Sequence, residues 1–328
     1  MDRRAFLVTL GGGLLAGPLA AEGQPPRTVY RIGILEMVDG ASNSVNLGAF
    51  RQGLAALGYV DGAHFTIDYR SADHRTERLA DLAAELVRLK VDVIVTRGSP
   101  AALVAKEATG TIPIVMASSG DPLRDGIVAN LDRPLGNVTG LHTMAPAELG
   151  SRRLQLLKQA TPASSRVGIL WNPLADHPAL LVKDTEKAAG AMRVRLASLR
   201  VRTPGAFEPA FETALMDQVD ALIVVEDYLT FTERGRIVDF AAMSRLPAIY
   251  GFREFVDAGG LMSYGTDRRD LYRRCATYVH KILSGTPPAA LPVEPPLTFE
   301  LVINLKTAKA LGLTIPPSLL QRADQVVE

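Results

Sequence analysis

Short β-branched apolar runs alternate along this chain with longer stretches whose apolar residues recur every three or four positions. Tyr30-Arg31-Ile32-Gly33-Ile34-Leu35 opens the pattern as a predicted strand, and 46–58 reads as the helix that follows. Residues 64–69 alternate as a strand; 75–90 place Leu79, Leu82, Ala83, Leu86 and Leu89 on one helical face. A strand over Val91 to Thr96, a helix over 100–108 and a strand over Ile112 to Ala117 complete a first series. About 136 residues after the first strand, Arg166-Val167-Gly168-Ile169-Leu170-Trp171 starts a second, led in by helix 148–160. It continues as helix 176–190, strand 192–200, helix 206–218, strand Ala221 to Val225, helix 231–245 and strand 247–250. Strands apolar on both faces and separated by helices predict parallel sheets covered on each side, an α/β class.

Gly259-Gly260 breaks the chain before Leu261 to Tyr264. The predicted helix 267–283 ends at Ser284-Gly285, and a Pro-rich link at 286–296 leads to a strand from Phe299 to Leu305. A turn over Lys306 to Leu311 and a Pro316-Pro317 tail close the chain. The repeat predicts two lobes, one over 28–141 and one over 145–260, with 265–328 returning to the first. Periodicity alone fits a continuous two-domain division equally well.

Composition narrows the chemistry. At 328 residues the chain is near the size at which one core divides in two, and 47% apolar residues supply the material. Thirty-six basic against 35 acidic residues leave a net charge of +1, with no global attraction to nucleic acid. A single cysteine, Cys275, excludes an intramolecular disulfide framework, and five scattered histidines without HExxH call for no metal. No cofactor is expected. Residues 1–23 read as an export signal: Arg3-Arg4 before Phe6-Leu7, a short apolar run, and small residues near a cleavage point between Ala21 and Gln24. The paired arginines resemble a twin-arginine signal, with general export as the alternative, and the expected location is the periplasm.

In parallel α/β sheets ligands gather beyond the carboxyl ends of strands. GxGxxG is missing after the first strand, and GxxxxGK[ST] and GxSxG occur nowhere. The loops hold small hydroxyl and acidic residues instead. Gly98-Ser99-Pro100 ends the third strand and opens a helix, so Ser99 and Pro100 either cap that helix or present a hydroxyl and free N–H groups to an anion. Ser118 and Ser119 extend the same cradle, and Asp121 before Pro122 holds a turn or touches a ligand. In the second series Trp171 stacks on a ring or closes a hydrophobic edge, and Asn172 offers both a donor and an acceptor. Glu226-Asp227-Tyr228 follows an apolar strand; a carboxylate there needs a cation, and Asp227 either receives a ligand ammonium or caps the next helix. Tyr250 and Glu254, in Tyr250-Gly251-Phe252-Arg253-Glu254-Phe255, are candidates for a cleft wall.

The run Asp81-Leu82-Ala83-Ala84-Glu85-Leu86-Val87-Arg88-Leu89-Lys90-Val91-Asp92-Val93-Ile94-Val95-Thr96 resembles the ABC-transporter substrate-binding proteins of the TrpXYL type. So do Thr111-Ile112-Pro113-Ile114-Val115, Leu246-Pro247-Ala248-Ile249-Tyr250-Gly251, the stretch Glu254 to Gly265, and the stretch Phe299 to Leu313. The resemblance implies a two-lobed periplasmic-binding-protein-like fold of type I, each lobe a parallel-type sheet flanked by helices. Three crossovers are expected near 140–145, 262–266 and 292–298. It also implies that hydroxyls after first-lobe strands (Ser99, Ser118 or Ser119) hold a ligand carboxylate and that Asp227 holds an ammonium. Amino-acid-binding relatives carry an Asp-Asn pattern where this chain has Glu226-Asp227, which alters the expected geometry. Glu36 stands where a small or polar residue is more usual and would favour a further donor on the ligand.

The implied role is capture of a small organic solute, first an aromatic amino acid or related aromatic carboxylate, second a branched-chain amino acid or small amide. The implied partners are a membrane permease and its cytoplasmic ATPase, with no nucleic acid and a monomeric binding protein. A sensory binding protein with the same lobes and a periplasmic α/β hydrolase are the alternatives; no motif selects a nucleophile and base for the latter.

Overall fold

The computed structural model describes residues 29–328 except 145, 147 and 175; the expected signal at 1–23 lies outside them. The first series runs β1 (Tyr30–Glu36), α1 (Ser44–Ala56), β2 (Phe65–Ser71), α2 (Leu79–Arg88), β3 (Val93–Arg97), α3 (Ser99–Ala108), β4 (Ile114–Ser118) and β5 (Val138–Leu141). The second runs α4 (Leu149–Ala160), β6 (Arg166–Trp171), α5 (Asp176–Ala191), β7 (Arg195–Arg200), α6 (Phe207–Met216) and β8 (Ala221–Val224). It continues through α7 (Tyr228–Thr232), α8 (Arg234–Met243), β9 (Ala248–Tyr250), α9 (Arg253–Asp257) and β10 (Met262–Thr266). Then come α10 (Arg268–Leu283), β11 (Val293–Glu294), β12 (Phe299–Asn304), α11 (Leu305–Leu311), α12 (Pro317–Leu320) and β13 (Gln325–Val327).

These strands form two sheets. One is parallel in the order β11-β5-β4-β3-β1-β2. The other has the order β13-β12-β10-β9-β8-β6-β7, parallel except where β12 meets β10. The two-residue alternation of a strand explains why each needs cover on both faces. In the first sheet Ile32, Ile34, Val93 and Val95 point to α1 and α10, whereas Leu35, Ile94 and Ile114 point to α2 and α3. In the second, Val167, Ile169 and Ile223 pack toward α4 and α5, and Leu170, Leu222 and Val224 toward α6 and α8. This is the two-lobed α/β architecture of type I periplasmic-binding proteins.

The expected return of 265–328 to the first lobe needs correction. Helix α10 packs on α1 and strand β11 pairs with β5, both in the first lobe, but β12 and β13 belong to the second sheet. Leu301 and Ile303 decide this: they enter the core under α4 and α5, with Ile303 opposite Met262 in the antiparallel pair. The chain therefore passes between the sheets three times, after β5, after β10 and between β11 and β12. The helix predicted over 231–245 is divided into α7 and α8 at Glu233.

Candidate ligand cleft between the lobes

Loops from the carboxyl ends of both sheets enclose one cavity of about 400 Å³, within the roughly 300–1,000 Å³ typical of small-molecule sites. Gly98 shapes the first-lobe wall. Its φ of +81° turns β3 into α3 and sets Ser99 and Pro100 in the helix's first turn, a conformation that favours glycine. Ser99 Oγ lies 3.2 Å from Ser119 Oγ and accepts from the Gly120 N–H at 3.2 Å. Ser118 lines the same wall, and Asp121 reaches it while accepting the N–H groups of Leu123 and Arg124.

Glu226 and Asp227 form the facing wall, and both are already engaged within the protein. The partner that sequence reasoning missed for Glu226 is Arg153 of α4, wholly buried. Its two terminal nitrogens donate to the two Glu226 oxygens at 2.5 and 2.7 Å, and its Nε donates to the Tyr264 carbonyl at 2.8 Å. Asp227 caps α7: its Oδ1 accepts from Thr230 N at 2.7 Å, and Thr230 Oγ1 accepts from Asp227 N at 2.9 Å. Its Oδ2 accepts from Asn172 Nδ2 at 2.6 Å. A carboxylate oxygen has two lone pairs, so Asp227 keeps acceptor capacity toward the cavity it lines.

At the cavity floor Arg97 of β3 and Arg268, the first residue of α10, line the space together with Phe231 and Phe252. Glu254 Oε1 accepts from Arg268 Nη1 at 2.6 Å and from Arg97 Nη2 at 3.4 Å. The Arg268 guanidinium lies 3.7 Å from the Phe252 ring centroid and 4.6 Å from that of Phe231; Arg97 lies 5.3 Å from Phe231. Burial opposes ionisation of Glu254, yet Arg268 and Arg97 hold its carboxyl below the usual range. Burial pulls Arg268 down from the usual guanidinium value despite Glu254.

Six expected site residues therefore line the cavity: Ser99, Pro100, Ser118, Ser119, Asp121 and Asp227. The others stand behind it. Glu36 is fully buried, accepting from Tyr272 Oη at 2.5 Å, Asn43 Nδ2 at 2.7 Å and Tyr69 Oη at 3.1 Å. Burial raises its carboxyl, with Arg97 pulling the other way from 3.8 Å. It is enclosed by protein donors and does not line the cavity, so it braces Arg97 and does not face a ligand. Trp171 closes the hydrophobic edge under α4 and α5, its indole donating to Ser198 Oγ at 2.9 Å. Tyr250 is wholly buried and stacks on Phe255. Asn172 orients Asp227, and Glu254 holds the two floor arginines.

Among the lining residues that sequence reasoning missed are Arg97, Arg268, Phe231, Phe252 and His177. Arg97 had a signal: a cation ends the otherwise buried strand Val93-Ile94-Val95-Thr96-Arg97. Arg268 had none, because only the third dimension brings the start of α10 to β3. Burial lowers the imidazole of His177 and takes that of nearby His142 down to about 4, so both face their surroundings neutral near pH 7. Among the described residues no cluster of His, Cys, Asp and Glu could hold a metal, and no helix is long and apolar enough to cross a membrane.

Residues 31–327 match the family described as ABC transporter substrate binding protein. The chain belongs to that family. This substrate-binding protein is thus the solute-binding component of an ABC importer and not an enzyme, and membership implies a membrane permease and an ATPase as partners. It is similar to the tyrosine-binding protein of Clostridioides difficile strain R20291, at 27% identity over 282 residues, 86% of this chain and 81% of that protein. Among solved structures it is similar to an ABC domain from Streptococcus pneumoniae in complex with L-Trp, at 29% identity and a TM-score of 0.78, covering 92% of this chain and 100% of that one. A conserved domain protein from Vibrio cholerae matches at 26% identity with a TM-score of 0.77, covering 91% and 100%. These relatives agree with an exported substrate-binding protein that meets its permease outside the cytoplasmic membrane.

Proposed function

We propose that this protein captures an aromatic amino acid or a related aromatic carboxylate, as a binding protein of the TrpXYL type. The observation that carries the reading is the polarity of the cleft. Ser99, Ser119 and the start of α3 stand on one wall and Asp227 on the other, while Phe231 and Phe252 line the same space. Hydroxyls and helix N–H groups favour a carboxylate, and a half-buried carboxylate favours an ammonium. Met37, Val38 and Leu103 add apolar surface for a ring. The relatives named for tyrosine and solved with L-Trp support the same class. A ligand touching both walls binds the closed arrangement better than the open one, and that difference drives closure. Export to the periplasm directed by residues 1–23 through a twin-arginine route, a monomeric state and docking of the closed form on a permease complete the proposal.

The test is Asp227→Asn. Asparagine caps a helix about as well as aspartate, so α7 keeps its start. The affinity for tryptophan should fall roughly 10-fold or more, as expected for a lost charge-assisted contact, while that for indole-3-propionate, which lacks the ammonium, changes little. Calorimetry showing equal losses for the two would remove Asp227 from the ammonium role.

A further inference from the structure

The serines and the arginines that line this cleft differ in how far their hydrogen-bonding capacity is used. Ser99 and Ser119 bond to each other, and Ser99 also accepts from Gly120 N–H, so the protein itself occupies much of that cradle. The floor arginines are underused. A guanidinium carries five N–H groups. Among the described residues, Arg97 donates to Asn43 Oδ1 at 3.1 Å and to Glu254 Oε1 at 3.4 Å. Arg268 donates through one nitrogen to that same Glu254 oxygen at 2.6 Å, and its buried Nε has no partner. Turning the Arg268 fork onto the unpartnered Glu254 Oε2 would satisfy that pair and still leave most of the N–H groups unused.

Charge points the same way. Glu254 is shared by the two guanidiniums, and the second carboxylate, Glu36, stands 3.8 Å behind Arg97 and is bonded by Tyr272, Tyr69 and Asn43, so neither carboxylate takes up the N–H groups that line the cavity. Arg268 is 8% exposed and shares its one carboxylate oxygen with Arg97, so its remaining N–H groups are removed from water and need a further acceptor. The Phe231 and Phe252 rings hold both guanidinium planes in place at the cavity floor. Arg97 lies two residues before Ser99, so the floor is continuous with the start of α3.

We propose that Arg97 and Arg268 together form the anion seat of the cleft, taking the carboxylate of the solute in charge-assisted hydrogen bonds. The serines shape this seat and the arginines give it charge. The solutes accepted are accordingly acids whose carboxylate lies beside an aromatic or similarly flat apolar group, and neutral amides of the same shape are rejected. This deepens the proposed function and rests on its assignment of the cleft.

Calorimetry on the purified protein tests it with tryptophan, phenylalanine and indole-3-propionate, the primary amide of each, and two aliphatic acids, leucine and succinate. The acids should bind about 100-fold more tightly than their amides, as a site built around a polar partner discriminates. Arg97→Gln and Arg268→Gln should each weaken the acids about 10- to 100-fold and weaken residual amide binding much less. Aromatic acids and amides that bind alike, or variants that lose both equally, would overturn the anion seat and leave the aromatic reading standing. Binding of aliphatic acids alone, with discrimination against succinamide and leucinamide, would keep the seat and overturn the aromatic reading. Absence of binding by every acid would overturn both. Should Arg268→Gln fail to fold, judged by its thermal transition, the wild-type acid and amide pairs together with Arg97→Gln decide.

Discussion

Two buried arginine clusters stand against the same cleft, and they are built differently. Arg153 meets Glu226 as a fork on a fork, and its remaining Nε–H goes to the Tyr264 carbonyl. Gly251 is required beside it, since a methyl group there would collide with the Glu226 carboxylate. Arg97 and Arg268 share a single oxygen of Glu254, and Arg268 keeps an unpartnered Nε. The closed cluster shores up the wall that carries Asp227. The open one has donors left for something outside the protein. Burial alone does not tell a structural cation from a binding one; the count of donors still unused does.

Breaking the closed cluster should give the largest effect. Arg153→Ala leaves the Glu226 carboxylate buried without its cation and should destabilise the fold by about 3–5 kcal/mol, measured by denaturant unfolding. The double substitution Arg153→Met with Glu226→Leu should recover much of that loss, because the pair is then replaced by apolar groups. A loss in the double variant as large as in Arg153→Ala would show that the pair contributes more than mutual compensation.

A third cluster, where the chain re-enters the second lobe, sharpens the contrast through its pH dependence. Glu300 accepts from Arg269 at 2.7 Å and Arg253 at 3.3 Å, yet burial and Asp267 raise its carboxyl to about 7. A carboxyl raised in the folded state favours folding fully below its unfolded value near 4.5, and that contribution is lost as pH rises through about 7. Between pH 4.5 and 7.5 the stability of wild type relative to Glu300→Gln should fall by about 2 kcal/mol, allowing for partial screening. His142, lowered to about 4, has the opposite sign: its contribution is present above 6.5 and is lost as pH falls through about 4. It cancels in the comparison with Glu300→Gln. A difference that stays flat with pH would show that the two arginines keep Glu300 ionised throughout.

The smallest effect belongs to the serine wall. Ser99→Ala removes one hydroxyl whose partners are mostly internal, so acid affinity should fall by less than about 10-fold, well short of the loss in Arg97→Gln. A Ser99→Ala loss as large as that of Arg97→Gln would place the charge of the seat at the start of α3 instead.

Much of the fold was legible in the residues. The alternation of Ile32, Ile34 and Leu35, or of Val93, Ile94 and Val95, announces strands buried on both faces, and the Leu79-Leu82-Ala83-Leu86 face announces the helix that covers them. Strands β5, β11 and β13 escaped notice because two to four residues carry too little pattern to register, and Gly140 interrupts the apolar run of β5. The small polar side of the cleft was also legible, since Ser99, Ser118, Ser119, Asp121 and Asp227 follow strand ends. Glu36, Trp171 and Tyr250 were misplaced because a position near a strand end does not say whether a side chain turns to the cavity or to the core. For these three, hydrogen bonds and stacking inside a lobe took precedence.

The sequence by itself determined the alternation of strand and helix and the two-lobed division, because those follow from local periodicity and from the need to cover each face of a sheet. Tertiary structure alone decided that 299–327 finish the second sheet and that Arg153 meets Glu226 while Arg97 and Arg268 meet Glu254. Arg153 and Glu226 are 73 residues apart, and Arg97 and Glu254 are 157 apart. Nothing local couples positions so distant. Which cation is spent on the protein and which is left for a solute is settled only when the packed sheets bring their ends together.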